Sequence, residues 1–421
     1  MLTRRVFLRG SAIVMAGMGV APAWLARAAA AQGKQRKTLV AIFMRGAADG
    51  LNIVVPFGDK NYRELRPTLA IAPPSGQANP NGGPFPVNGG GIDLDGTFAL
   101  NGAMQPLKSL WDKQQLAIVE ATGSPDPSRS HFDAQDSMES GTPGKTTGDG
   151  WLNRALPALG DASTVLRAVA LGNQLPRCLR GGHDAIAVNN LQQFNVGDQE
   201  AVAIMQNMYS MTTDASLGRT GKDAFEAMKL IRSIQNVGPG VPPVVGGPAG
   251  IPQFAQAAEF GRNLQQLARL LKAEVGVEVA FADIGGWDHH GNENQLLPNL
   301  LRQFASGIAA FFQEMGDRME DIVLVTMSEF GRTVQENGNG GTDHGHGSFM
   351  MVIGGRVQGG KIYGKWPGLE KEQLFEGRDL AVTTDYRDVL SELVRDHLGQ
   401  KDVSLVFPGF HPGQPLGLLH V

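Results

Sequence analysis

Two short stretches gather most of the metal-ligand chemistry of this chain. GWDHHGN (286–292) sets Asp288 beside His289 and His290, and SEFGRTVQENGNGGTDHGHG (328–347) carries Glu329, Asp343, His344 and His346 among glycines. Single groups come from two other places: Asp49 in RGAADGLN, and the run Ser128, Arg129, Ser130, His131. Carboxylate oxygen and imidazole nitrogen suit hard or borderline divalent cations. Two such ions can clamp the attacking and leaving oxygens of a displacement at phosphorus or sulfur. A hydroxyl at a helix N-terminus beside them has a favoured alkoxide form, because metal charge and helix dipole both stabilise the anion. Ser130 fits that position, and Arg129 before it has the planar fork to grip a tetrahedral oxyanion.

Each of these residues also has a plain structural reading. Ser130 can simply cap a helix, Asp49 can be a turn aspartate, and glycine loops carry histidines that do nothing. In an extended segment His289 points away from Asp288 and His290, so it stands outside the ligand set, and His346 ranks below His344. GGRVQGG and GGG lack the lysine and the serine or threonine spacing of a phosphate loop.

The elements that must position these groups follow from the hydrophobic pattern. KTLVAIFM (37–44), LAIVEA (116–121), VLRAVAL (165–171), VEVAFADI (277–284), DIVLVTM (321–327) and SFMMVIGG (348–355) read as buried strands. Helical patterns cover 103–114, 253–273, 296–315 and 384–399, and another helix opens at Ser128 or Ser130 with Asp133 in its first turn. Strand, polar loop and helix in repetition predict an α/β fold, a doubly wound and mainly parallel sheet with helices on both faces. Ligands gather at the carboxyl ends of such strands. Asp49, Ser130 with His131, Asp288 with His290, Glu329, and Asp343 with His344 all come after expected strands, so their loops should converge there. Residues 37–400 read as one domain with a helical cap or insertion at about 180–250, ending in a glycine- and proline-rich linker, and 401–421 as a C-terminal tail.

Composition bounds the remainder. A 421-residue chain that is 42% apolar can bury one large core, and a net charge of −4 excludes nucleic acid as the main partner. Cys178 is alone, which rules out an intramolecular disulfide and any multi-cysteine site, so metal ligands must be His, Asp and Glu. Residues 1–30 have the charged start, short apolar run and Ala-x-Ala sites of a signal peptide, cleaved after Ala28 or Ala30; a membrane anchor is the alternative. Paired Arg4 and Arg5 in TRRVFLR resemble the twin-arginine signal. This predicts a protein handed folded to the twin-arginine export machinery and released into the periplasm without a stable membrane span.

Taken together, TRRVFLR, FMRGAADGLNIVVP, SRSHFDAQDSMESG, GGWDHHGN and SEFGRT…NGNGGTDHGHG resemble a bacterial family of twin-arginine-exported proteins, domain of unknown function 1501. That family looks like a distant branch of the alkaline phosphatase and sulfatase superfamily. The resemblance implies an alkaline phosphatase-like sandwich, a two-metal centre and a Ser, Thr or modified Cys nucleophile. By that likeness Asp49 matches the ligand after the first strand, and Ser130, with Ser128 as alternative, the nucleophile at a helix start. Asp288 and His290 match the Asp and His ligands before a long helix, and His344 the late His. Where the superfamily has Asp-His, this chain has Glu329 and Phe330, and phenylalanine cannot ligate; Asp343 then fills in, or one metal is lost. The implied function is a periplasmic hydrolase of phosphate or sulfate esters, acting on a small-molecule or polymer substrate with zinc, calcium, magnesium or manganese. Asp49, Asp288, His290, Glu329, Asp343 and His344 would be its ligands, and Ser130, Arg129 and His131 its catalytic groups. The alternative is a non-catalytic periplasmic binding or assembly protein on a degenerate hydrolase fold.

Overall fold

Every residue of the first strand, Thr38–Met44, is buried, and its side chains alternate between two cores. Val40, Ile42 and Met44 pack with the helices Pro252–Lys272 and Glu293–Met315 through Phe260, Leu264, Leu300 and Phe304. Leu39, Ala41 and Phe43 pack with Trp151–Ala155 and Tyr386–Glu392 through Trp151, Leu152, Val389 and Leu390. The period of two along a strand sends neighbours to opposite faces, so a strand apolar at every position needs helices on both. The sheet is covered in that way, as the pattern predicts.

The computed structural model describes residues 36–74, 90–144, 147–156, 165–191, 199–234 and 252–420. The leader, most of the turn-rich stretch near 75–89 and the linker 235–251 lie outside the described residues. The strands are β1 Thr38–Met44, β2 Val54–Val55, β3 Ile92–Asp93, β4 Ala99–Leu100, β5 Leu116–Gly123, β6 Ala168–Leu171, β7 Ile186–Val188, β8 Val279–Ile284, β9 Ile322–Met327, β10 Ser348–Gly354, β11 Lys361–Tyr363 and β12 Thr384–Asp385. The main sheet has the order β11-β5-β10-β9-β1-β8-β6-β7, with β12 beside β5, and β2-β4-β3 form a small separate sheet. All pairings in the main sheet are parallel except those of β10, which runs antiparallel to β5 and β9. The reversal matters for the site. It puts the start of β10, and therefore the loop just before it, at the edge where the parallel strands end.

The structure departs from the pattern-based reading in several places. Residues expected as a helix over 103–114 form a 3₁₀ segment, Gly102–Leu107, and then a short helix, Lys108–Asp112; Pro106 supplies no amide donor for a continuous α-helix. Within 180–250, Ile186–Val188 joins the main sheet as an edge strand, and the helical part comprises Gln199–Met211 and Ala215–Ile234. The last helix gives way at Leu393 to a π-helical turn, Leu393–His397. Within the C-terminal residues 401–420, Val406, Phe407, Leu418 and Leu419 are buried in the core on the Trp151 face. Their backbone is tied down by Glu392, whose carboxylate accepts from the amides of Leu416, Gly417 and Leu418. Among the described residues no helix is long and apolar enough to cross a membrane.

Candidate metal centre

Loops from four strands, β1, β5, β8 and β9, meet at the carboxyl edge of the sheet. After β1 the chain turns through Gly46, whose φ of +116° is open to glycine alone, and a Cβ there would stand 2.8 Å from the backbone nitrogen of Asp288. That close approach fixes the loop after β8 against the loop after β1. Trp287 is buried beneath it, donating from Nε1 to the Ile284 carbonyl at 2.9 Å and meeting Phe304 edge-on at 5.8 Å. Asp288 is thereby held at the rim while its neighbour is anchored in the core. After β5, Ser130 caps the helix His131–Ser140 and places His131 as its first residue.

The glycines of the 338–347 loop answer a packing need. A Cβ on Gly341 would stand 2.5 Å from the Gly291 amide nitrogen, so this loop lies directly on the backbone of the Asp288 loop. The Thr342 amide donates to the His289 carbonyl at 3.0 Å, and Arg332 pairs with His344 in an antiparallel bridge.

These contacts bring His131, Asp288, His290 and His344 together. Nε2 of His344 is 3.1 Å from Nε2 of His131 and 3.0 Å from Nε2 of His290. Asp288 Oδ1 is 3.0 Å from His290 Nε2 and 3.3 Å from His344 Nε2, while Oδ2 is 3.5 Å from His131 Nε2. Donors bound tetrahedrally at the usual metal–nitrogen and metal–oxygen lengths stand about 3.3 Å apart. The spacing of His131, Asp288 and His344 is close to that of donors around one ion, and His290 adjoins Asp288 and His344. His131, Asp288 and His344 form a group able to hold a metal, their ligand atoms all within 4.8 Å of one another.

The outer side of each ring makes the case stronger. Nδ1 of His131 contacts Glu329 Oε1 at 2.8 Å, Nδ1 of His290 contacts Asp343 Oδ1 at 3.2 Å, and Nδ1 of His344 contacts the Arg129 carbonyl at 2.9 Å. An oxygen acceptor at Nδ1 draws the proton there and leaves the Nε2 lone pair facing inward, the usual arrangement behind metal-bound imidazoles. The Glu329 carboxylate raises the pKa of His131, whereas burial, with the charges of His131 and Arg332, lowers that of His344. Burial alone would raise the Asp288 carboxyl, but the hydrogen bond and charge of Arg332, helped by His290 and His131, hold it below its ordinary value.

Several expected ligands lie elsewhere. Asp49 is buried, and both its oxygens are taken by the equally buried Arg66, at 2.5 and 2.9 Å. Burial alone would raise its pKa; the Arg66 guanidinium holds it below the ordinary range, while burial and the Asp49 charge push the adjacent Glu293 well above its own. Glu329 and Asp343 stand behind His131 and His290 and do not face the donor cluster directly. Arg129 turns its guanidinium away, to Asp379 at 2.6 and 3.0 Å and Glu376 at 2.6 Å, so the expected oxyanion grip is not assembled. The Ser130 hydroxyl accepts from the Asp133 amide at a long 3.5 Å, a weak cap. His289 is buried, as its alternation with Asp288 and His290 predicts, and burial pushes its pKa down to about 4. His346 stacks on Phe375 at 4.4 Å.

Two residues in the site were not singled out as contributors by sequence. Arg332, fully buried, donates from Nη1 to Asp288 Oδ1 at 2.7 Å and from Nε to Thr342 Oγ1 at 3.1 Å. Phe330 packs its ring 5.1 Å from the rings of both His131 and His344. The signal was present in SEFGRT: both side chains sit just past a strand already expected to end at the site, but neither is a ligand type. Between helix His131–Ser140 and the loop after β6 opens a cleft of about 580 Å³ lined by Arg45, Phe132, Gln135, Arg177, Asn263 and Asp283 among others. Phe132, next to His131, is 88% exposed there.

Among solved structures, the chain is similar to the PsFucS1 sulfatase from Pseudoalteromonas sp., at 9% identity over 89% of this chain and 70% of that one, with a TM-score of 0.37. It is also similar to the C-terminal periplasmic domain of EcEptC from Escherichia coli in complex with zinc, at 8% identity over 77% and 74% of the chains and a TM-score of 0.35. A third is the phosphonate monoester hydrolase SpPMH from Silicibacter pomeroyi, at 11% identity, 86% and 73% coverage and a TM-score of 0.30. No curated protein matches the sequence. A family model described as "Protein of unknown function (DUF1501)" matches residues 113–401, more than half of the chain and every residue of the His and Asp cluster, and the chain belongs to that family.

Proposed function

We propose that this protein is a metal-dependent hydrolase of phosphate or sulfate esters. The observation that carries the reading is the trio of imidazoles, each held at Nδ1 by an oxygen and each turning Nε2 towards Asp288. A structural cluster has no need of three inward lone pairs beside a carboxylate; a cation does. His131, Asp288, His290 and His344 would hold it. A bound divalent cation supplies Lewis acidity that polarises an ester oxygen.

The chain's own groups do the remaining work. Glu329, Asp343 and the Arg129 carbonyl keep the rings in one tautomer, and Phe330 walls off one side from water. Ser130, one residue before His131, is the proposed nucleophile. Its capping bond is long, so releasing the hydroxyl costs little, and the positive helix end favours its anion. The cleft beside Phe132 has room for the alcohol portion of the ester. A second reading, a binding protein without catalysis, is favoured by the paired state of Arg129 and of Asp49, which leaves two expected catalytic contributors occupied.

Turnover of aryl phosphate and aryl sulfate by wild type, Ser130→Ala and His344→Ala, each supplied with divalent metal, separates the two. The hydrolase reading expects activity in wild type, loss in His344→Ala, and a fall of roughly three orders of magnitude in Ser130→Ala. A metal-loaded wild type inert on both esters removes it in favour of the binding protein. We further propose export by the twin-arginine route, on the strength of Arg4 and Arg5 before the apolar run. Changing both to Lys keeps the charge, so precursor should accumulate in the cytoplasm; undiminished periplasmic protein would refute the route.

A further inference from the structure

We infer that the site takes one borderline first-row divalent ion of the zinc class, bound by Nε2 of His131, His290 and His344 and a carboxylate oxygen of Asp288, and has no place for a second. The inference rests on the metal-dependent reading above and goes further by naming the class and number of the ion.

The donor set selects the class. Three imidazole nitrogens to one carboxylate suit zinc, cobalt or nickel, whereas calcium and magnesium call for six or more oxygens or an octahedral, largely hydrated shell. His344 Nε2 stands 3.0 and 3.1 Å from the Nε2 atoms of His290 and His131, and Asp288 oxygens stand 3.0–3.5 Å from all three rings, spacings close to the roughly 3.3 Å between donors of one four-coordinate ion.

The number follows from what surrounds the cluster. A two-ion centre needs further carboxylates with free oxygens, the ions standing about 3.5–4 Å apart. Here the buried carboxylates Asp49, Glu329 and Glu293 already have donors. Asp49 gives both oxygens to Arg66. Glu329 Oε1 accepts from His131, the Gln135 amide and the Gly46 amide, and its Oε2 accepts from Ser328 Oγ. Glu293 accepts from Asn52 and Thr342, and Asp343 Oδ1 receives Asn337 as well as His290. The buried guanidinium of Arg332 donates to Asp288 Oδ1 at 2.7 Å and so already supplies a positive charge to that carboxylate. Beneath His131 and His344 lies Phe330, which has no lone pair to offer. Two fixed guanidinium groups thus supply the positive charge that neighbouring carboxylates would otherwise seek from a second ion.

The test is a metal titration of the full mature chain, stripped of metal and then supplied separately with zinc, cobalt, calcium and magnesium, read by bound equivalents and melting temperature. One equivalent of zinc or cobalt is expected, with the intense visible absorption of four-coordinate cobalt, and no rise in melting temperature with millimolar calcium or magnesium. His344→Ala should lose the equivalent. Asp343→Asn should keep it with affinity about 10-fold weaker, as for an orienting partner and not a ligand. Two equivalents in wild type, or preference for calcium or magnesium, overturns the inference while leaving a metal-dependent hydrolase standing. No binding of any of the four ions removes the metal-dependent reading itself, and this inference with it.

Discussion

Asp49 and Asp288 look alike in sequence. Each follows a strand, the strands β1 and β8 pair in parallel, and each aspartate lies in a glycine-bearing loop at the same edge. Their surroundings differ. The Asp49 side chain is 1% exposed and clamped bidentately by Arg66, inside a buried network that includes Glu293, Asn52 and Tyr62. The Asp288 side chain is 42% exposed, held from one side by Arg332 and faced by three imidazoles. Position at a strand end therefore makes an acid available to a site only if a buried cation does not take both of its oxygens. A carboxylate paired in the interior is a structural element, because separating the pair leaves an uncompensated buried charge. One half in water, with imidazole nitrogens around it, is a ligand in waiting.

The largest expected effect breaks the pair in the interior. Arg66→Ala should destabilise the metal-free chain by about 3–5 kcal/mol in denaturant unfolding, the usual cost of stripping one partner from a buried ion pair. Asp288→Asn keeps a hydrogen-bond acceptor for Arg332 at a half-exposed position, so its cost should be smaller, about 1 kcal/mol. On metal the order reverses. Zinc at a hundred times its dissociation constant should stabilise wild type by about 2.7 kcal/mol, and Asp288→Asn by nothing measurable. Equal unfolding costs for the two variants, or a full zinc response in Asp288→Asn, would erase the distinction between the two aspartates.

A smaller effect sharpens it. Glu329→Gln leaves all four proposed donors in place and weakens the acceptor behind His131. Zinc affinity should fall about 10–100-fold, with the number of bound ions unchanged. Affinity measured by competition with a chelator decides this, and loss of the whole equivalent would instead make Glu329 a ligand.

Much of this was legible before any coordinates. The six expected strands all form, and the loops bearing His131, Asp288, His290 and His344 converge as the strand-end rule requires. His289 turned inward because alternation along an extended segment demands it. Other features were closed to a local reading. Arg66 lies only 17 residues from Asp49, yet nothing in the intervening sequence says that helix Lys60–Leu65 returns it to that carboxylate. Arg332 reaches Asp288 across 44 residues, and Arg129 reaches Asp379 across 250. The antiparallel sense of β10 likewise depended on which neighbours it found.

Sequence by itself determined the kinds of side chain at the edge and the strands that carry them there, because periodicity and turn composition act over a few residues and need no partner. Tertiary structure alone decided which acids stayed free. The state of a carboxylate is set by the nearest cation and by how much water remains, and both depend on distances in space that spacing along the chain does not encode. For that reason Asp49, the first ligand the family resemblance suggested, became part of the framework. His131, grouped by sequence with the serine and arginine beside it, came to face Asp288 because the helix it opens points its ring at a loop more than 150 residues away.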